Sequence, residues 1–135
     1  MPESERFVVG GSQSVDVPST VLSGQAWLDH LGSGVAPSRL RLVRVQLAPG
    51  SRTVWHSHQY GQILHVIDGI ALTQERGGAV SRHSAGDTIV CAPGIWHWHG
   101  SAPDRFMTHI AVHEVQDDGT DATWGEHVTD EEYSA

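Results

Sequence analysis

Ten histidines in 135 residues are the chemical excess of this chain. They stand at positions 30, 56, 58, 65, 83, 97, 99, 109, 113 and 127. Eight of them fall from His56 to His113, and no consecutive run marks an affinity tag. Neutral imidazole is the commonest metal ligand and titrates near physiological pH. Successive side chains of a strand alternate faces, so residues i and i+2 share one. His56-Ser57-His58 and His97-Trp98-His99 therefore each set two imidazoles on one face, and His109 and His113 share a face of a later segment. Two such rings make half a metal site. In a chain this rich in histidine, composition alone accounts for about one such pair, so the surrounding spacing has to carry the argument.

The elements that must position these rings read as strands. Segments rich in Val, Ile, Leu and Trp lie between Gly and Pro turn signals at the spacing of a sandwich or barrel. The expected strands are Leu40–Leu47, Thr53–His56, Gln62–Ile67, Ile70–Glu75, Asp87–Cys91, Trp96–His99 and Phe106–Glu114. Turns are expected at Ala48-Pro49-Gly50, Asp68-Gly69, Gly77-Gly78, Ala85-Gly86-Asp87, Ala92-Pro93-Gly94 and Ala102-Pro103-Asp104. Val21–Leu31 has a loose helical rhythm, and Thr129 followed by three acids is a cap for one short helical turn. The expectation is an all-β single domain over 1–135, with the motif-bearing core at about 40–114 and an acidic segment at 114–135.

Charge excludes other classes. All 8 basic residues are Arg, so lysine Schiff-base chemistry is absent. The 16 acids give a net charge of -8, and eight of them lie after His113, where no Arg occurs. That balance argues against nucleic acid, whose phosphates need a basic face, and points to a solvated acidic tail. No apolar run is long enough to span a membrane, and no leader pattern opens the chain. The lone Cys91 excludes an intrachain disulfide, and the expected compartment is the cytoplasm. A small-molecule substrate and a homodimer or higher homo-oligomer are the expected partners.

The spacing around the paired histidines is specific. Gly50, five residues, His56-Ser57-His58, three residues, Gln62, six residues and Gly69 come first, followed by Gly86-Asp87 and Ala92-Pro93-Gly94-Ile95-Trp96-His97. This resembles the two motifs of the cupins, small β-barrels of jelly-roll type. The resemblance implies that His56, His58, Gln62 and His97 hold one divalent metal ion. The departures are Gln62 in the slot of an acid, Ala92 with Pro93 beside it in the proline slot, and Ser101 in the slot of an Asn. A Gln carbonyl is a neutral ligand, so three imidazoles and one Gln leave a divalent ion its full charge for polarising a substrate. Such a set suits Mn, Fe, Ni or Co, and also Zn.

Longer stretches carry a closer likeness: Pro49–His56, Tyr60-Gly61-Gln62, His97–Gly100, Met107–Ala111 and Glu126–Tyr133. They resemble small bacterial cupins that act as manganese-dependent hydroxynitrile lyases. The resemblance implies Mn(II) as cofactor and reversible cleavage of aromatic cyanohydrins to aldehyde and hydrogen cyanide. It places His99 and His109 in the pocket as non-ligand groups that exchange the proton, with Val45 and Thr53 lining it. His113 stands where those relatives carry Gln, as a further catalytic or substrate-binding group. Alternatives are a metal-dependent cupin dioxygenase on a small organic substrate and a non-catalytic cupin that binds a small ligand.

The other residues read as structure. His65 alternates away from Gln62 and Leu64 onto the outer face, and His30, His83 and His127 are expected at the surface. Trp55, Trp96 and Trp98 are core or pocket wall, and Cys91 is buried packing without an activating base. Ser57 points away from the ligand face, and Asp87 is a turn residue.

Overall fold

The structure, a computed structural model, describes residues 13–135. It is built from short antiparallel strands. They are β1 (Val15–Asp16), β2 (Leu22–Ser23), β3 (Ala26–Ser33), β4 (Leu40–Leu47), β5 (Arg52–Thr53), β6 (His56–Ser57) and β7 (Gln62–Glu75). There follow β8 (Ser81–Ser84), β9 (Thr88–Cys91), β10 (His97–Ser101), β11 (Met107–Glu114) and β12 (Thr123–Trp124). One four-residue helix, α1 (Asp130–Tyr133), follows a capping box in which Thr129 and Glu132 bond each other's backbone N–H. The strands run β1-β3-β4-β11-β7-β10-β5-β2 in one curled sheet, with β6, β8, β9 and β12 paired off that path.

β7 makes the curl. Its first half pairs with β11 and β9, and its second half with β10 and β8. The expected turn at Asp68-Gly69 is instead a bend inside this single strand. Gly69 has φ +79, and a Cβ there would strike the Phe106 carbonyl, so only glycine lets the chain turn the corner at this point. The partner strand shifts register between Thr108 and His109, leaving Ile67 unpaired as a bulge opposite His109. The strand expected at Thr53–His56 is likewise divided. Val54 and Trp55 leave the ladder to bond Val21 and Glu126, so β5 and β6 have different outer partners.

The helical rhythm expected over Val21–Leu31 is strand instead. Ala26, Leu28 and His30 pair with Leu47, Val45 and Val43 of β4. A bulge at Leu31 adds one residue between His30 and Gly32, and this displaces the leucines to a spacing that mimics a helix. Period 2 governs elsewhere: Met107, His109, Ala111 and His113 of β11 are buried, as are Gln62, Leu64 and Val66 of β7.

Two apolar clusters stabilise the sheet. Leu22, Ala26, Leu47, Val66, Ala71 and Met107 pack in the interior. Trp55, Leu72, Trp98 and Val128, with Trp96 and Tyr133 against them, pack on the outer side of β10. The acidic segment closes this second cluster and is not a solvated tail. Asp117, Asp121, Glu126 and Asp130 pair with Arg39, Arg41, Arg76 and Arg52 of the preceding strands and turns. Among the described residues, no helix is long and apolar enough to cross a membrane.

Candidate functional site

A cavity of about 390 Å³ opens between β3, β4, β7 and β11. Alternation places Arg41, Val43, Val45 and Leu47 of β4 on its wall, facing Ala26, Leu28 and His30 of β3. Val17, Leu22 and Ala111 add apolar surface, and Thr53 lies at the end of β5. The far wall is polar: His56, His58, Gln62, His99, His109 and His113. One pole is therefore fit for an apolar body and the other for a polar head.

The rings cluster as the strand alternation predicts. His56 and His58 have centroids 5.2 Å apart, and His97 and His99 are 5.8 Å apart. β6 pairs with β10 through His56 and His97, whose rings lie 4.4 Å apart. Nitrogens of His56, His97 and His99 all come within 4.8 Å of one another, close enough to share an ion. His58 stands beside them, 5.8 Å from His97 between ring centroids. His97 is behind His56 and not on the cavity wall; its other side meets a small crevice with Glu75 and Cys91.

Backbone carbonyls orient the rings. Nδ1 of His56 lies 2.8 Å from the Val54 carbonyl, that of His58 2.9 Å from Asp121, and that of His97 3.0 Å from Ile95. A carbonyl only accepts, so each Nδ1 carries the proton and each Nε2 keeps its lone pair. Nε2 of His58 and His97 and Oε1 of Gln62 are buried with no hydrogen-bond partner among the described residues. Buried polar atoms seldom stay unpaired, and such lone pairs around the cluster of His56, His97 and His99 fit a cation. Burial pushes His56 well below the ordinary imidazole value, lowers His97, and lowers His58 to about 4. The rings are held neutral, the form that ligates. The residues present thus fit a divalent metal ion.

His99 and His109 have ring centroids 5.1 Å apart, and all four of their ring nitrogens lack a partner among the described residues. Burial keeps both neutral; His109 is lowered to about 4 and His99 well below its ordinary value. His113 completes the wall, 5.2 Å from His58, with Nε2 bonded to Asp121 at 2.8 Å.

The remaining expectations sort cleanly. His65 is on the outer face, His127 is exposed, and His83 is half-buried against Thr73. His30 is exposed yet also lines the cavity. Ser57 faces away from the cavity, toward Gln59 and Gln116. The three tryptophans are core on the outer side of β10. Cys91 is half-buried, short of the full burial expected, and burial pushes its thiol up to about 11, so it is no nucleophile. Ser101 ties the β10 end to the Ala48 carbonyl.

Sequence reasoning missed Arg41, Val43, Asp121 and Trp124. Alternation along β4 would have found the first two. Asp121 and Trp124 come from the acidic segment, and only the pairing of Trp124 with His56 brings them to the site.

Comparison with known proteins agrees with this geometry. Residues 43–113 match the cupin domain model. The chain is 41% identical over 125 residues to an (R)-mandelonitrile lyase of Granulicella tundricola, covering 93% of this chain and 95% of that one. A crystal structure of a cupin-like protein from Thermotoga maritima superposes with TM-score 0.80 at 33% identity, over 94% of each chain. The polyketide cyclase RemF from Streptomyces resistomycificus shares the fold at TM-score 0.70 and 15% identity, over 91% of this chain and 85% of that one. Barrel, motif spacing and histidine cluster together make this chain a member of the cupin family.

Proposed function

We propose that this cupin is a hydroxynitrile lyase, reversibly cleaving aromatic cyanohydrins to aldehyde and hydrogen cyanide with one divalent ion, Mn(II), held by His56, His58, Gln62 and His97. The observation that carries the reading is the pair of neutral, unpartnered imidazoles, His99 and His109, set beside a neutral ligand set. The similarity to a mandelonitrile lyase supports the choice of reaction.

The apolar wall of Leu28, Val43, Val45 and Leu47 takes the aromatic ring. This directs the hydroxyl and nitrile toward the histidines. Bound metal would supply positive charge against which the negative charge of departing cyanide develops. A lone pair on His99 or His109 removes the hydroxyl proton. The oxygen then forms the aldehyde C=O as the bond to the nitrile carbon breaks with its electron pair. Cyanide takes up the proton that the imidazole received and leaves as hydrogen cyanide. Each ring is neutral and has a lone pair to accept the proton, while burial itself makes it the weaker base, so the charge it gains must be offset by the negative charge that develops on the substrate.

The test is benzaldehyde release from mandelonitrile by manganese-loaded and chelator-stripped protein. Metal-dependent release above the buffer rate is expected. Full metal occupancy without release, together with oxygen uptake on small organic substrates, would replace the lyase by an oxygenase.

A further inference from the structure

Among the described residues, Asp121 is the one acid on the cavity wall. It sits in the turn between β11 and β12, which the Gln116 backbone holds by bonds with Thr120 and Gly119. The Gln116 side chain accepts from the Gln59 N–H at 3.1 Å and so anchors this turn to the His56-Ser57-His58 segment. Four bonds from three residues then converge on Asp121. Its carbonyl accepts from His58 Nδ1 at 2.9 Å. Its Oδ1 accepts from His113 Nε2 at 2.8 Å. Arg41 Nη1 donates to both carboxylate oxygens, at 3.0 and 2.9 Å.

A carboxylate held by a guanidinium only accepts, so Nε2 of His113 must carry the ring proton. In the neutral ring Nδ1 of His113 is then a bare lone pair, and it is buried without a partner among the described residues. As a stabilising ion pair, Arg41–Asp121 is weak, because the two side chains are 39% and 42% exposed. Its geometry acts instead on the two imidazoles that flank the cavity.

We propose that Asp121 is a positioning residue: it locks His113 in the tautomer that presents an acceptor to the cavity, and Arg41 holds it in place. The cavity wall then presents a fixed acceptor at His113 beside the lone pairs of His99 and His109, and the carbonyl of Asp121 aims His58. The activity part of this inference rests on the lyase reading; the tautomer part does not.

The experiment is ¹⁵N NMR of the histidine ring nitrogens in the full-length, zinc-loaded protein, zinc being diamagnetic. His113 is assigned by its loss in His113→Gln. The wild type should show His113 protonated at Nε2 alone. Asp121→Ala should release the ring to a mixture of tautomers, while Asp121→Asn, whose amide oxygen still accepts, should restore the wild-type pattern. On mandelonitrile, the manganese-loaded Ala variant should lose about tenfold in kcat/KM and the Asn variant should recover most of it. A wild-type ring protonated at Nδ1, or an unchanged tautomer in Asp121→Ala, would overturn the proposal. The ring-nitrogen result decides it even where wild-type turnover is absent, an outcome that counts against the lyase reading alone.

Discussion

β10 is buried on both faces, and its two faces are opposites. Outward, Trp98 is fully buried against Leu72, Trp55 and Val128, and its indole N–H donates to Gln74 at 2.8 Å. Inward, His99 is also buried, but neither ring nitrogen has a partner among the described residues. On the outer side the buried indole N–H is met by a hydrogen bond, as a structural core requires. The other keeps lone pairs unspent. A buried group without a partner destabilises the fold, so a row of them marks the place where the molecule meets something else.

The comparison breaks most sharply by exchanging damage between the faces. His109→Ala should lower turnover about 10³-fold while metal content, read by elemental analysis, stays at the wild-type level. Its melting temperature should hold or rise, because an unpartnered buried imidazole is removed. Trp98→Ala should cost about 3–5 kcal/mol, read by chemical denaturation, from the lost burial and the cavity left behind. A His109 variant that loses metal, or a Trp98 variant as stable as wild type, would erase the distinction.

Acid should find the inward face first. His58 and His109 titrate at about 4 in the folded chain, against about 6.5 for a free imidazole. Below pH 6.5 the unfolded chain takes up protons that the folded chain refuses, so stability falls as pH drops from about 6.5 to about 4. Metal-stripped protein should lose roughly 10 °C or more in Tm across that window, at about 4 °C per kcal/mol. A Tm that is flat over the same range would mean that these rings are not held neutral by burial. The smallest effect belongs to the outer charges. Arg76 and Glu126 are 50% and 62% exposed, so Glu126→Gln should change stability by less than about 1 kcal/mol. A larger loss in a denaturant titration would give this ion pair a stabilising role that its exposure does not support.

Much of this was legible in the residues. Leu40–Leu47 is a strand with the expected bounds, and Phe106–Glu114 differs by one residue. Both read correctly because one face of each turns inward, half-buried in β4 and buried in β11, and the alternation is undisturbed. The paired histidines met for the same reason. Bulges hid the rest: an extra residue at Leu31 gave β3 a helical rhythm, and the corner at Gly69 looked like a turn. The acidic segment misled more deeply. Four of its eight acids pair with Arg39, Arg41, Arg52 and Arg76, which lie 50 to 80 residues earlier in the chain, and no local pattern reveals such pairing.

The most direct test of the inward face is turnover of mandelonitrile measured against manganese bound per chain, from stripped protein to saturation. The account predicts a linear rise that levels at one ion per chain, with no turnover at zero. Turnover that persists in stripped protein, or that stays absent at one ion per chain, would contradict it.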